Sequence, residues 1–275
     1  ELEPRDASIS RRHAVVSRGD DGWQIRDESR LGTTLNGDTF QSRRLVYGDR
    51  FQIGRYVFQF NVDSIDWLDL PQRGAIHAER LGFAVGGKRI IENISLEIEP
   101  GEFVGILGGS GQGKSTMMNA LCGIRPATEG RVWLNGQPLD AGAEDGARIG
   151  YVPQDDIVHP ELVVRDAVLF AARLRLNLPE RELAMLVDQT LARLDLTPHA
   201  GKRIHSLSGG QRKRVSIATE LLTRPDVLFL DEPSSGLDPA TEESLMSLLQ
   251  SLTLTGLTVV CTTHVLDRAY LFNRI

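Results

Sequence analysis

A glycine-rich stretch in the first half of the chain restricts the possible folds more than any other feature. Residues 105–116 read Gly-Ile-Leu-Gly-Gly-Ser-Gly-Gln-Gly-Lys-Ser-Thr, and they follow an apolar run that predicts a short buried strand. The segment at 114–121 predicts a helix. Glycines let the backbone turn where a Cβ would clash, so that successive N–H groups point at phosphate oxygens beside the positive end of the helix dipole. The sequence therefore predicts a phosphate-binding loop between a strand and a helix.

Two side chains of this loop have specific predicted roles. Lys114 is placed to reach the β- and γ-phosphates of a nucleotide, and Ser115 to offer its hydroxyl to Mg²⁺. The alternative interpretation is a glycine turn before an ordinary helix. The predicted nucleotide-binding residues of the loop are Gly108, Gly109, Ser110, Gly111, Gln112, Gly113, Lys114, Ser115 and Thr116.

Length and composition limit what surrounds this loop. A chain of 275 residues is long enough for two domains of usual size. Its net charge of −6 argues against a general nucleic-acid binder. The longest apolar runs are shorter than a membrane helix requires, so we expect this chain to be soluble. Cys122 and Cys261 lie far apart in apolar segments, which favours buried thiols of a reducing compartment over a disulfide.

Residues 1–62 consist of short alternating apolar runs separated by turn residues such as Gly, Asn and Asp. This pattern predicts a small all-β sandwich without helices. The segment 63–74 contains several Asp residues and has no hydrophobic period, so we interpret it as a linker. Strands and helices then alternate through 75–275, which predicts an α/β domain.

The N-terminal residues resemble a forkhead-associated (FHA) domain. The resemblance rests on Ser-Arg-Arg-His-Ala at 10–14, Gly-Thr-Thr-Leu-Asn-Gly at 32–37 and Gly-Asp at 48–49. It implies that Ser10 and Arg11 contact the phosphate of a phosphothreonine protein, while His13 supports the loop. The family usually has Asn where this chain has Leu31, and the family's opening strands have no counterpart here. We therefore expect a partial FHA domain.

Two runs before the phosphate loop, 76–81 and 90–98, predict an antiparallel flanking sheet with a turn at Gly86 and Gly87. Phe83 lies in this sheet, where its ring would stack on adenine. The alternatives are that Phe83 is a core residue or that Val85 takes the adenine position.

Two carboxylates follow the apolar run at 227–230. A run this short and continuous suits a strand buried on both faces, and ligands of α/β sheets bind at the carboxyl ends of such strands. We therefore predict that Asp231 reaches Mg²⁺ and that Glu232 orients and polarises the water that attacks the γ-phosphate.

A second glycine pair, at 209–210, opens another predicted helix and also offers backbone N–H groups to an anion. The glycine loop, the paired carboxylates and the second glycine pair, together with Gln154, Asp238 and His264, resemble the nucleotide-binding domain of an ABC transporter. The match runs from about residue 81 to about residue 268. The fold that it implies is an α/β P-loop ATPase with a parallel core sheet, an antiparallel flanking sheet and a helical subdomain at 155–206.

The resemblance implies a head-to-tail homodimer with two ATP molecules between the subunits. The phosphates would lie in the glycine loop of one subunit and against a trans ATP site on the other. Glu232, His264 and Gln154 would be the catalytic residues, and Gln154 would join Ser115 and Asp231 around Mg²⁺. The residues implied for the trans site are Ser208, Gly209, Gly210, Gln211 and Asp238.

The local sequences at 165–176 and 211–221 look most like those of the G subfamily, in which the ATPase precedes a membrane domain in the same chain. This likeness implies an exporter, with the ATPase at the cytoplasmic face of the inner (plasma) membrane and further segments beyond residue 275. Two alternatives are a soluble ABC-type ATPase that is not coupled to transport and a phosphopeptide-binding regulatory module. The transported substrate is not identified by these residues.

Overall fold

The computed structural model describes residues 10, 12–19, 22–30, 32–35, 38–45, 49–53, 56–61, 64–68, 73–109, 111–139, 149–264 and 269–275. The chain divides into two compact units, residues 1–71 and residues 72–275, and each is described by itself. Every α-helix among the described residues belongs to the second unit. None of these helices combines the length and the apolar character that crossing a bilayer requires.

The first unit consists of two antiparallel sheets. One sheet has the order β1-β2-β5 and the other has the order β4-β3-β6-β7-β8. Ile25 from the first sheet packs with Phe51, Ile53 and Phe60 from the second in one hydrophobic core, so the predicted all-β architecture is confirmed. The strands are β1 (Ala14–Gly19), β2 (Gly22–Asp27), β3 (Thr34–Leu35), β4 (Asp38–Thr39), β5 (Ser42–Arg44), β6 (Arg50–Ile53), β7 (Tyr56–Asn61) and β8 (Ser64–Leu68).

Strand β8 lies within the segment 63–74, which the sequence assigns to a linker. Its backbone pairs antiparallel with β7, from Ser64 opposite Asn61 to Leu68 opposite Val57. An edge strand is held by backbone hydrogen bonds along one side only, and these bonds leave no periodic pattern in the side chains. The linker interpretation is therefore wrong for residues 64–68, whose only strand signal is the short polar–apolar alternation Ser-Ile-Asp-Trp.

A parallel sheet forms the centre of the second unit, and its strands follow the order β11-β16-β15-β14. Every residue of β15 and of β16 is buried, as expected for strands covered on both faces. Because the strands are parallel, their carboxyl ends meet at one edge of the sheet. The four strands are β11 (Phe103–Leu107), β14 (Ile149–Val152), β15 (Val227–Leu230) and β16 (Thr258–Thr263).

A second sheet of four antiparallel strands flanks this core, in the order β10-β9-β12-β13. Gly86 and Gly87 form the turn between its first two strands, both with positive φ. The predicted antiparallel flanking sheet is thus confirmed. The strands are β9 (Ile76–Val85), β10 (Lys88–Ile98), β12 (Glu129–Leu134) and β13 (Gln137–Pro138).

The described residues of the second unit also form five α-helices. The first begins at Lys114, directly after the glycine loop, so the predicted succession of strand, loop and helix is confirmed. The second begins at Val164 and the third follows Pro179, both within the predicted helical segment at 155–206. The helices are α1 (Lys114–Leu121), α2 (Val164–Arg175), α3 (Glu180–Arg193), α4 (Gly209–Leu221) and α5 (Pro239–Thr253).

Both cysteines are free thiols buried in the second unit, as the sequence predicts. Burial disfavours the thiolate, and it raises the pKa of Cys122 to about 11. Burial also raises the pKa of Cys261. Neither thiol has the low pKa or the exposure that reactive cysteines need, so both act as small apolar core residues.

We expect Gly130→Ala to lower the free energy of unfolding by about 2–4 kcal/mol, because Gly130 has φ +83° and its new Cβ would meet backbone atoms. That Cβ would lie 2.4 Å from the carbonyl oxygens of Glu79 and Arg80. Urea unfolding followed by far-UV circular dichroism measures the change. Gly136→Ala is the matched control, since Gly136 also has positive φ but faces open space. Equal unfolding midpoints for the two variants would contradict the prediction.

Candidate functional site

The glycine loop joins the end of β11 to the start of α1. Gly111 has φ +75° and Gly113 has φ +87°, both in the left-handed region that favours glycine. A Cβ on Gly108 would lie 2.9 Å from Oε1 of Gln112, so a larger residue would displace that side chain. Oε1 of Gln112 accepts a hydrogen bond from the backbone N–H of Gly109 at 2.7 Å. Ser110 lies outside the described residues.

Lys114 is the most constrained side chain of the loop, and it is only 8% exposed. Its Nζ donates hydrogen bonds to the carbonyl oxygens of Gly108 at 2.9 Å and Gly109 at 3.1 Å. The same Nζ lies 3.1 Å from Oε1 of Glu232. One buried ammonium therefore joins the glycine loop to the carboxylate that follows β15. Ser115, next in the chain, is exposed, and Thr116 is half-buried.

Asp231 and Glu232 stand at the carboxyl end of β15, as the sequence predicts. Asp231 is buried, and its Oδ1 accepts a hydrogen bond from the Thr262 hydroxyl at 2.6 Å. The backbone N–H of Glu232 donates to the same hydroxyl at 2.8 Å. Glu232 itself has φ +42°, a conformation that is costly for a residue with a long side chain and that is found most often at functional sites.

Thr262 contacts both acids of the candidate site, although it is not among the residues predicted from the sequence. It is fully buried in β16, and its hydroxyl links the backbone of Glu232 to the carboxylate of Asp231. The available signal was a pair of threonines at the end of an otherwise apolar buried strand. A buried hydroxyl needs hydrogen-bond partners, and the acids on the neighbouring strand are the nearest source of them.

His264 and Gln154 follow β16 and β14 at the same edge of the sheet. Nδ1 of His264 lies 3.8 Å from Oε2 of Glu232, and the His264 side chain is exposed. The backbone oxygen of Gln154 accepts a hydrogen bond from Nζ of Lys213 at 2.8 Å. The parallel sheet thus brings residues that lie far apart in the sequence to its carboxyl edge, where the glycine loop begins.

The second predicted anion site begins helix α4. Ser208 is its N-cap: Oγ of Ser208 accepts from the backbone N–H of Gln211 at 3.3 Å, and Oε1 of Gln211 accepts from the backbone N–H of Ser208 at 3.1 Å. A Cβ on Gly210 would lie 2.3 Å from Cγ2 of Thr241, so glycine is required for this close approach. Within the described part of the chain, this capping box shares no hydrogen bond with Lys114.

Asp238 and Phe83 are the remaining predicted site residues of the second unit. Asp238 is the N-cap of α5, and hydrogen bonds from Thr241 and from the backbone N–H of Ala240 lower the pKa of its carboxyl group. Phe83 is half-buried in β9 and pairs in register with Ile91 of β10, whereas the competing Val85 is exposed.

In the first unit, the buried His13 joins two loops. Its Nδ1 accepts a hydrogen bond from the backbone N–H of Ser10 at 3.0 Å, and its Nε2 lies 3.2 Å from the carbonyl oxygen of Gly32. Oγ of Ser10 accepts from the backbone N–H of Arg30 at 3.1 Å. Arg11, the other predicted phosphate contact, lies outside the described residues, as does Leu31.

Comparisons with known proteins agree with this geometry. The family model "ABC transporter" matches residues 91–235, and the model "FHA domain" matches residues 2–54. The chain is 37% identical over 264 residues to the ABC transporter ATP-binding/permease protein Rv1747 of Mycobacterium tuberculosis, which covers 93% of this chain and 30% of that protein. It is 40% identical over 185 residues to ABC transporter G family member 14 of Arabidopsis thaliana, which covers 64% of this chain and 28% of that protein. This chain therefore spans less than a third of the length of these relatives.

A solved structure agrees as well. It is the dimeric, post-hydrolysis state of the ATP-binding cassette MJ0796 bound to ADP and Pi. The likeness has a TM-score of 0.63 at 30% sequence identity, and it covers 73% of this chain and 93% of that chain.

We expect Thr262→Val to lower the free energy of unfolding by about 1–3 kcal/mol, because it removes the hydroxyl that Asp231 and the Glu232 backbone share. Urea unfolding measures the loss. Thr262→Ser is the matched control, since it keeps the hydroxyl and removes only a methyl group. A valine variant as stable as the wild-type chain would show that the hydroxyl makes no net contribution.

Proposed function

The chain belongs to the ABC transporter family of ATP-binding proteins and is an ATPase of that family. We propose that it is the motor domain of a membrane exporter. The observation that carries the proposal is the contact of Lys114 with both the glycine loop and Glu232. This contact supports the proposal because a cation that can bind phosphate and a carboxylate that can act as a base lie 3.1 Å apart at the edge of the parallel sheet.

Three oxygen donors suit the magnesium ion that accompanies ATP in such sites. The Ser115 hydroxyl, the Gln154 amide oxygen and the Asp231 carboxylate are hard ligands of the kind that Mg²⁺ prefers. Thr262 holds Asp231 by one of its two oxygens, Oδ1. When bound, Mg²⁺ neutralises phosphate charge; the remaining steps depend on side chains of the chain itself.

The contact between Lys114 and Glu232 supports a simple sequence of events. A γ-phosphate that binds Lys114 replaces the Glu232 carboxylate as the anionic partner of the ammonium. Glu232 can then accept a hydrogen bond from the attacking water and polarise it, so that ATP and water give ADP and phosphate. His264 lies close enough to Glu232 to orient it or to donate to the γ-phosphate.

The cap at Ser208 supports a dimer in which each ATP contacts two subunits. Ser208, Gly209 and Gly210 present a helix N-terminus, which attracts anions, yet they share no hydrogen bond with the Lys114 contacts within the described residues. We propose that this end, with Gln211 and Asp238, completes the ATP site of a second copy of the chain in a head-to-tail homodimer. Phe83 would stack on the adenine.

The similarity to known transporters supports the proposal that this chain couples ATP hydrolysis to transport. One of them is named an ATP-binding/permease protein and another is a G family member. We propose that this chain acts with a transmembrane domain through its helical subdomain at 155–206, at the cytoplasmic face of the inner membrane, and that the direction is export.

We expect Glu232→Gln to retain ATP binding and to lose at least about a hundredfold in kcat, because the amide is a far weaker base. Steady-state phosphate release measures kcat, and size-exclusion chromatography with ATP measures the dimer that accumulates when hydrolysis stops. Lys114→Ala is the contrasting variant, since it should lose nucleotide binding itself. Wild-type turnover in Glu232→Gln would exclude Glu232 as the base, and retained affinity in Lys114→Ala would exclude the loop assignment.

The FHA domain supports a second proposal, that phosphothreonine peptides bind near Ser10 and Arg11 and regulate the ATPase. The supporting observation is that the buried His13 holds Ser10 close to Gly32. We expect a phosphothreonine peptide library to bind in fluorescence anisotropy and Ser10→Ala to weaken binding by about tenfold, which is the value of one charge-assisted hydrogen bond. Equal affinity for the unphosphorylated peptides would contradict the proposal.

A further inference from the structure

Lys213 is a buried charge that none of the steps above uses. It lies near the start of helix α4, and it is only 6% exposed. Its Nζ donates to the backbone oxygen of Gln154 at 2.8 Å and to that of Pro153 at 3.2 Å, and it lies 3.3 Å from Oδ1 of Asp156. All three acceptors belong to the loop that carries Gln154.

This arrangement satisfies a strict physical requirement. A buried ammonium is costly unless its charge is paired and its protons have acceptors, and lysine has three protons to place. Two carbonyl oxygens and one carboxylate supply three acceptors. Moving the loop away from α4 would leave a buried charge without partners, which is strongly unfavourable. The loop backbone is therefore held in register with the helix.

A second buried side chain holds the preceding strand to the same face of α4. Glu220 lies seven residues after Lys213, so the two side chains point in the same direction. Oε2 of Glu220 accepts from the backbone N–H of Tyr151 in β14 at 3.4 Å, and Oε1 pairs with Arg175 of α2 at 2.8 Å. Asp156 also pairs with Arg212, at 3.3 Å.

We propose that Lys213 is a positioning residue for Gln154 and couples the Ser208 end of α4 to the Gln154 loop. Helix α4 starts at the cap assigned above to the ATP of the second subunit, whereas Gln154 belongs to the ATP of its own subunit. Lys213 makes the start of α4 and the Gln154 loop move together. A contact between the start of α4 and the ATP of the second subunit therefore changes the geometry around the ATP that Gln154 contacts. The inference rests on the proposed ATPase site and adds a residue to it.

The test compares Lys213→Met with the wild-type chain. Methionine keeps the length of the apolar stem and removes the charge and its hydrogen bonds. We expect kcat for ATP hydrolysis to fall by about tenfold and KM to change by less than about twofold, because a displaced Gln154 affects reaction geometry more than phosphate binding. Lys213→Arg keeps a cation with several donors, and it should restore kcat to within about threefold of the wild-type value.

Hydrogen–deuterium exchange supplies a readout that does not depend on turnover. We expect faster exchange at 149–157 in Lys213→Met, with unchanged exchange at 105–116. Lys202→Met is the matched control, because Lys202 is exposed on the same unit and its substitution should alter neither kcat nor exchange. Asp156→Asn removes the negative charge that pairs with Lys213 while it keeps the size of the side chain, and it should raise exchange in the same segment. It serves as the test if Lys213→Met does not fold.

Two results would overturn the inference: a folded Lys213→Met chain with wild-type kcat and wild-type exchange at 149–157, or exchange that rises uniformly throughout residues 72–275. The second result would assign Lys213 a general structural role. A wild-type chain without ATPase activity would instead refute the proposed function, and the exchange comparison would still test whether Lys213 holds the loop.

Discussion

The contact between Lys114 and Glu232 connects the two parts of the sequence on which the site depends. The ammonium of Lys114 and the carboxylate of Glu232 lie 3.1 Å apart, and their side chains are 7% and 19% exposed. Charges this deeply placed need partners, because solvent no longer stabilises them. The glycine loop supplies two carbonyl oxygens to Lys114, and the parallel sheet delivers Glu232 to the same place. The ion pair between Lys114 and Glu232 therefore requires both the order of the strands in the sheet and the conformation of the glycine loop.

Buried charge recurs around helix α4, where it joins elements rather than binding a ligand. Lys213 holds the Gln154 loop and Glu220 holds β14, while Ser208 caps the exposed beginning of the helix. A helix held in this way has little freedom to move without its neighbours. Buried polar contacts therefore connect helix α4 directly to β14 and to the loop that carries Gln154.

The backbone at the site is also shaped for function at a cost in stability. Glu232 has φ +42°, a left-handed conformation that is costly for a residue with a Cβ, and the Thr262 hydroxyl accepts a hydrogen bond from the Glu232 backbone N–H. In the first unit, the buried ring of His13 holds backbone atoms of Ser10 and Gly32 in a comparable way. In both units, therefore, a buried polar side chain holds half-buried backbone next to the predicted site.

The sequence by itself determined the features whose physical requirements are local. Glycines in a strand-to-helix turn, acids after a short apolar strand and a glycine pair at a helix start each need specific residues at fixed spacing. The glycine loop, the Asp231–Glu232 pair and the start of α4 at the glycine pair could therefore be predicted. Only the tertiary structure decided that Thr262 joins Asp231 to Glu232, that Lys213 holds Gln154, and that β8 adds an edge strand to the first unit. Those contacts join residues that are distant in the chain or join backbone atoms alone, and neither leaves a pattern in the order of the side chains.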